Sequence, residues 1–243
     1  MRRAIMAGAV LLLGACTADA RDGEGREASE RTGQRDFKVA GFDRVSLGEA
    51  HNVIVTVGGA PSVRAEGDAE TIERLEIKVE GGELHIGMKK GRWSVGWDRG
   101  RPPVTIHVTA PSLAGASIGG SGDMRIDKVE GERFAAAIGG SGDMEIGSLR
   151  VGEAEFSIAG SGGITARGSA ERSDISIAGS GDIDLAGVET KTAKVSVVGS
   201  GDVTARASET AEVSIMGSGD VTLAGPAKCT ISKMGSGNVR CNA

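Results

Sequence analysis

Aromatic side chains are scarce in this chain of 243 residues, which has no tyrosine, four phenylalanines and two tryptophans. A compact sandwich of this length would normally carry more aromatic mass in its core. A long, thin core can instead be filled by small and aliphatic residues, because each layer packs only against its neighbours. With 40 glycines, the chain can therefore still bury a core if that core is elongated.

An excess of basic residues is also missing, since 28 Lys and Arg oppose 33 Asp and Glu, for a formal net charge of -5. A nucleic-acid partner would require a basic stripe. The composition therefore argues against nucleic-acid binding, and the mild acidity identifies no other partner.

A long hydrophobic run is absent as well, because the apolar stretch at residues 5–13 is too short to span a bilayer. Arg2 and Arg3 precede this stretch, so the start of the chain is typical of a signal sequence. The next residues, Leu13-Gly14-Ala15-Cys16, resemble the lipobox of bacterial lipoproteins. The resemblance implies that Cys16 is lipidated and anchors the chain to a membrane.

The neighbourhood of Cys16 also bears on location. Residue 17 is Thr rather than the Asp that marks inner-membrane retention, so the resemblance favours the outer membrane. The alternative is an ordinary signal peptide cut near Ala15 or Ala18. We expect residues 1–15 to form the lipoprotein signal peptide. Residues 16–36 are predicted to form a flexible tether, because they are charged and carry almost no apolar side chains.

Internal repetition is the main feature of the rest of the chain. Gly-Ser-Gly occurs seven times at steps of 18 to 20 residues, starting at residues 120, 140, 160, 179, 199, 217 and 235. Five copies are followed by Asp, and the other two by Gly163 and Asn238. Apolar residues alternate on both sides of each copy, with the period of two that is typical of β-strands. The column two residues before the motif is Ile or Val except at Lys233.

Each repeat unit is therefore predicted to be a strand, a glycine corner, a second strand and a polar turn. A unit of 18 to 20 residues fits one rung of a β-helix, whose rungs stack at about 4.8 Å. Glycine suits a repeated corner because it tolerates positive φ and close backbone approach. We predict an all-β, single-stranded parallel β-solenoid of about seven rungs over residues 111–243. An antiparallel array of hairpins is the rival architecture.

Residues 37–110 are predicted to form a β-rich N-terminal part. Alternating patterns indicate strands at 53–57, 75–79 and 104–108, and Gly81-Gly82 indicates a hairpin turn after the second of them. Residues 69–74 can form one short helical turn.

Three features together resemble one bacterial family, the putative auto-transporter adhesin, head GIN domain. They are Gly41-Phe42-Asp43-Arg44-Val45, Val79-Glu80-Gly81-Gly82-Glu83-Leu84 and the Gly-Ser-Gly-Asp units. The resemblance covers residues 37–240 and implies an exported all-β protein of β-helix type with an adhesive role. It implies no catalytic residues and no cofactor.

The aspartates after the glycine corners are the strongest candidates for chemistry. They should form one column at an edge of the solenoid: Asp123, Asp143, Asp182, Asp202 and Asp220. Stacked carboxylates repel unless they are paired or bind a cation, so a calcium-binding column is one hypothesis. The other is that each Asp accepts hydrogen bonds from turn amides, which the replacements Gly163 and Asn238 favour.

Nucleophilic and metal chemistry find little support. No histidine recurs beside the serines of the motif, and His51, His85 and His107 show no metal-ligand spacing. A polysaccharide-acting β-helix enzyme would need aromatic platforms for sugar rings, and after residue 101 only Phe134 and Phe156 are aromatic. We therefore expect no catalytic residues and no metal site built from the histidines.

Trp93 and Trp97 are the exception to the aromatic scarcity. With Arg92 and Arg99 they can form a cationic binding patch for an anionic glycan, a lipid headgroup or an envelope protein. Alternatively, both indoles cover the N-terminal end of the core.

Cys229 and Cys241 fall in inward columns of the last rung, where an oxidising compartment would let them pair and clamp the end. Open solenoid ends also make a homo-oligomer conceivable. The sequence thus predicts a non-enzymatic envelope lipoprotein that acts in adhesion or as a scaffold. The alternatives are a polysaccharide-acting enzyme and a cation-stabilised structural spacer.

Overall fold

The computed structural model describes residues 32–89 and 103–241, which form one 18-stranded sheet. The sheet coils into a β-solenoid of about six turns, close to the seven rungs predicted. Successive rungs run parallel and in register, so that Ile158 lies opposite Ile177, and Ile177 opposite Val197. The parallel register excludes the array of antiparallel hairpins.

The N-terminal part contains seven strands and one helix, and its strands cover the expected positions. The elements are β1 (Thr32–Phe37), β2 (Arg44–Leu47), β3 (Asn52–Val57), β4 (Ser62–Asp68), α1 (Ala69–Arg74), β5 (Leu75–Glu80), β6 (Glu83–Met88) and β7 (Thr105–Ala110). β5 and β6 form the hairpin predicted from Gly81-Gly82.

The repeat region contains the remaining strands, several of which bend through a whole turn. They are β8 (Gly115–Ile118), β9 (Met124–Ile126), β10 (Val129–Ile138), β11 (Asp143–Gly160), β12 (Gly163–Gly179), β13 (Asp182–Gly199), β14 (Val203–Arg206), β15 (Thr210–Gly217), β16 (Val221–Ala224), β17 (Lys228–Gly235) and β18 (Val239–Cys241).

The parallel stack extends below the first Gly-Ser-Gly-Asp corner. β2 pairs in parallel with both β6 and β8, and β3 pairs in parallel with both β7 and β9. The rungs therefore stack in the order β6–β7, β2–β3, β8–β9, which differs from their order in the sequence. One sheet and one hydrophobic core run through the boundary at residues 110/111 that separates the two parts in the sequence.

Antiparallel strands close the N-terminal end of the stack. β4 pairs with β7, and β5 pairs with β6. Between them lies α1, whose N-cap Asp68 accepts a hydrogen bond from the backbone N–H of Thr71 at 2.9 Å. Ile72 of this helix is buried in the core.

One expectation about the tether is wrong at its C-terminal end. Residues 32–36 belong to β1, which pairs antiparallel with β4 from Thr32 opposite Asp68 to Phe37 opposite Val63. Composition missed this strand because backbone pairing holds it, with an Arg64–Asp36 ion pair at 2.8 Å, while most of its side chains remain exposed. Residues 16–31 lie outside the described residues.

The core is built from the alternating columns that the sequence predicts. The inward side chains of β10 to β16 are buried, and the largest are Phe134 and Phe156. Small residues accommodate both rings, because Phe134 lies opposite Ala154 and Phe156 lies opposite Ala136 in the parallel ladder. A thin core with few aromatic residues is thus filled by matching large side chains with small ones.

The two glycines of a corner have different roles. Gly199 adopts a φ of 130°, which favours glycine. Gly201 is buried, and a Cβ there would collide with the carbonyl oxygen of Gly181 and lie 2.8 Å from Ile177 Cγ2. Gly199 meets both requirements expected from the repeat, because a Cβ there would also collide with the carbonyl oxygen of Gly179, whereas Gly201 meets the close approach alone.

Candidate functional site

The aspartate column forms a ladder of side chain-to-backbone hydrogen bonds between rungs. Oδ1 of Asp182 accepts the backbone N–H of Asp202 at 2.9 Å, and Oδ1 of Asp202 accepts that of Asp220 at 2.7 Å. In the earlier rungs, Oδ1 of Asp123 accepts the N–H of Asp143 at 3.0 Å, and Oδ1 of Asp143 accepts that of Gly163 at 2.8 Å. Each carboxylate therefore serves the next rung rather than its own turn.

The ladder is interrupted at Gly163, which has no side chain. The N–H of Asp182 instead bonds to the carbonyl oxygen of Gly162 at 3.1 Å. The interruption divides the carboxylates into a group of two and a group of three, which shortens the run of adjacent negative charges.

Asparagines stand at both ends of this column. Asn238 donates its backbone N–H to Oδ1 of Asp220 at 2.7 Å. At the other end, the pairing of Val53 with Met124 places Asn52 beside Asp123. Sequence reasoning missed Asn52, because His51 occupies the place of the second corner glycine and hides the repeat. A search for the following Val-x-Val pattern alone could have found this rung.

The hydrogen bonds show what the column does within the fold. In each of these five bonds, Oδ1 is engaged by a backbone N–H, and hydrogen bonds to a charged acceptor are the stronger kind. Among the residues that the structure describes, no group of three or more His, Cys, Asp or Glu side chains is arranged to hold a metal ion. The five bonds support a capping role for the aspartates that acts on the next rung and not within their own turn.

The motif serines and the histidines lie apart. Ser121, Ser180 and the other corner serines are exposed. From Ser141 onward, their backbone N–H groups bond to glycine carbonyl oxygens of the previous rung, as Ser180 does to Gly160 at 2.9 Å. His51 is buried, whereas His107 is partly exposed with Nε2 2.9 Å from Glu66 Oε1. His85 is partly exposed on β6. No serine-histidine pair is formed by these residues in the described chain.

One groove lies on the wall that follows the corners. It has a volume of about 710 Å³ and runs past Asn52, Asp123, Arg125, Glu145 and Thr165. Arg125 Nε lies 2.8 Å from Oε2 of Glu145 in the next rung. Its lining residues include no aromatic side chain that could carry a sugar ring. Polar residues and apolar residues such as Met124 and Met144 share this lining.

A second groove of about 650 Å³ crosses the turns opposite the corners. It contains the ion pair of Lys191 and Glu171, whose Nζ and Oε1 atoms are 2.9 Å apart. The hydrogen bond from Lys191 lowers the pKa of the Glu171 carboxyl and raises the pKa of Lys191. Because both side chains are exposed, such a pair contributes little to stability.

The last rung carries the two remaining cysteines. Cys229 and Cys241 are joined in a disulfide, with their Cα atoms 6.6 Å apart. Both are partly buried against the core. The bond connects β17 with β18 across the end of the solenoid.

Several predicted site residues lie outside the described residues. They are the lipidation site Cys16 and the proposed binding patch of Trp93, Trp97, Arg92 and Arg99. In the described part of the chain, no helix is long and apolar enough to cross a membrane.

One known protein family matches most of the repeat region together with most of the N-terminal part. Residues 41–227 match the family described as putative auto-transporter adhesin, head GIN domain. The chain belongs to this head GIN domain family. The resemblance seen in the three sequence features is thereby confirmed. No curated protein matches the chain significantly.

Solved structures share the head GIN domain fold at low sequence identity. A putative adhesin from Bacteroides fragilis is 23% identical with a TM-score of 0.79, covering 88% of this chain and 98% of that one. A putative lipid binding protein from Parabacteroides distasonis is 22% identical with a TM-score of 0.71 and the same coverage. A putative adhesin from Parabacteroides merdae is 18% identical with a TM-score of 0.67, covering 88% of this chain and 97% of that one. These similarities establish the fold.

Proposed function

We propose that this head GIN domain protein is a non-enzymatic binding module of the bacterial envelope, acting in adhesion or as a scaffold. The observation that carries the proposal is how the repeat uses its polar groups. Each Asp of the column accepts a backbone N–H of the following rung, and for Asp220 this N–H belongs to Asn238. The regular surface that results suits recognition along its walls or ends.

The same proposal includes an anchor. Lipidation at Cys16 would attach the chain to the outer membrane, and the segment up to residue 31 would separate the head from the lipid surface. The description of the family as adhesins and the motif Leu13-Gly14-Ala15-Cys16 support this part.

The anchor and the location can be tested in one experiment. Cells expressing the protein would be labelled with a palmitate analogue, and the variant Cys16→Ala would serve as the control. We expect labelling of the wild type only. Intact cells would then be treated with protease and probed for the folded head.

Digestion without lysis would support an adhesin displayed outside the cell. Protection until the outer membrane is breached would support a scaffold role in the periplasm and would contradict adhesion to external surfaces. Release of sugars from uronic-acid polymers by the purified protein would contradict the whole proposal in favour of an enzyme.

A further inference from the structure

The C-terminal rung exposes a strand edge. Within the described residues, β17 pairs with β15 on one side and with no strand on the other. The N–H of Lys228 bonds to the carbonyl oxygen of Glu209 in the preceding rung. Successive residues of a parallel strand bond to opposite neighbours, so Cys229, Ile231 and Lys233 direct their N–H and C=O groups to the open side. Such an edge is a template for one more strand.

The same rung carries only positive charge. Residues 228–241 contain Lys228, Lys233 and Arg240 and no Asp or Glu, in a chain whose net charge is -5. Asn238 also takes the place of Asp in the corner column. Lys233 is the most telling of these residues, because it stands in the inward column, opposite Ile215.

The position of Lys233 leaves its charge at the edge. Its Nζ donates to the carbonyl oxygen of Gly237 at 2.8 Å, so the ammonium group is held within the rung. No carboxylate of the described residues lies within 4.0 Å of it as an ion-pair partner. An acidic side chain on an added strand would lie directly beside this ammonium group.

Apolar side chains accompany the cations. Ile231 is 49% exposed and Met234 is 69% exposed. Met234 continues an outward column through Met216 and Val198, which is occupied by Gly119, Gly139, Ala159 and Ala178 in earlier rungs. The described residues thus show their large exposed hydrophobic side chains at this end of the molecule.

The disulfide holds the strand at this edge in an ordered conformation. Cys229 lies in β17 itself, and its bond to Cys241 fixes β17 against β18. A strand that is already ordered loses less conformational entropy when it binds.

We propose that the open edge of β17 binds an extended, acidic segment of a partner protein by strand addition. An apolar residue of that segment would lie beside Ile231, and a carboxylate two residues away would lie beside Lys233. This proposal rests on the binding role proposed above and names its surface and the chemistry of its partner.

Two other occupants fit less well. A second copy placed end to end would bring two sets of like charges together without an acid between them. An apolar membrane interior would leave the backbone N–H and C=O groups of the edge unpaired. An extended peptide can pair with those groups through its backbone and supply the opposite charge through its side chains.

The test uses the purified full chain and a fluorescent, acetylated eight-residue peptide, Thr-Val-Thr-Glu-Thr-Val-Thr-Glu, in which valine and glutamate stand two residues apart. Anisotropy should show saturable binding, and the counterpart with lysine in place of glutamate should bind at least tenfold more weakly. Ile231→Pro removes a donor on the open side without removing a bond to β15, so the fold should persist while peptide binding falls at least tenfold. Lys233→Glu should weaken binding by a similar factor.

Lys194→Glu is the matched control, because Lys194 is an exposed cation of β13 two rungs away. It should bind the peptide as the wild type does. Undiminished binding by both Ile231→Pro and Lys233→Glu would overturn the proposal. So would binding to phosphatidylglycerol vesicles without peptide binding, or dimerisation that Lys233→Ile strengthens. Whether protease digests the head on intact cells does not depend on this edge. An unexpected result of that protease experiment would therefore count against the proposed location alone.

Discussion

The carboxylate of Asp202 accepts the backbone N–H of Asp220, 18 residues further along the chain, at 2.7 Å. Asp202 in turn donates its own N–H to Asp182 at 2.9 Å. A side chain that repeats with the rung thus adds a second line of hydrogen bonds beside the backbone ladder.

Removal of this acceptor should destabilise the protein. We expect Asp202→Ala to lower the free energy of unfolding by about 1–2 kcal/mol, because the N–H of Asp220 loses its partner. Asp202→Asn should cost less, since the amide oxygen can still accept. Urea denaturation measures both effects. Asp174→Ala, at an exposed position of β12, is the control; an equal loss there would show that the cross-rung bond adds nothing.

The second glycine of a corner should not tolerate a side chain. Gly201→Ala is expected to lower the free energy of unfolding by roughly 1–3 kcal/mol or more, because its Cβ would collide with the backbone of Gly181. Gly131→Ala should be close to neutral, since Gly131 is exposed and a Cβ there would meet nothing within 4 Å. Thermal melting of the two variants compares them directly, and similar melting temperatures would refute the steric argument.

Chelation separates the capping role of the aspartates from cation binding. Because their Oδ1 atoms already accept backbone N–H groups, EDTA should leave the melting temperature unchanged. Addition of calcium should not raise it. A fall of many degrees with EDTA, restored by calcium, would instead establish the cation-stabilised spacer.

Reduction should loosen the C-terminal rung. The Cys229–Cys241 bond spans 12 residues, and closure of a loop of this size is worth about 3 kcal/mol in the unfolded chain. We expect no free thiol at these positions under denaturing, non-reducing conditions. After reduction, or in Cys229→Ser/Cys241→Ser, amide exchange should accelerate in β17 and β18 and remain slow in β12. Two titratable thiols in the exported protein would contradict the pairing.

Much of the solenoid could be predicted because the repeat constrains it twice. The alternation around each corner indicates strands, and recurrence at 18 to 20 residues aligns their inward positions. Ile158, Ile177 and Val197 lie opposite one another as their spacing predicts. The glycine corners also behave as expected, because a corner that repeats in register places each glycine against a glycine of the preceding rung.

Other features could not be predicted because they depend on pairing between distant segments. β1 has little apolar content, and its place is set by the backbone of β4. The rung of β2 and β3 lacks a Gly-Ser-Gly motif, and His51 stands where the second glycine would be. The acceptors of the aspartate ladder were also beyond a local pattern, since each bond joins residues 18 or 20 positions apart.

The double pairing of β2 with β6 and β8 separates the chain into parts with different freedom to evolve. The first rungs are interleaved, so loss of any one of them would remove a neighbour on which two others depend. Later rungs follow the order of the sequence, so each contacts only the rungs before and after it, and whole units can be gained or lost there. A variant without residues 160–178 should therefore fold, joining Ala159 to Gly179 and bringing Asp182 onto Asp143, and scattering should show a molecule shorter by about 4.8 Å. A failure to fold would contradict this view. By such steps a lineage could adjust the reach of the protein without redesigning either end.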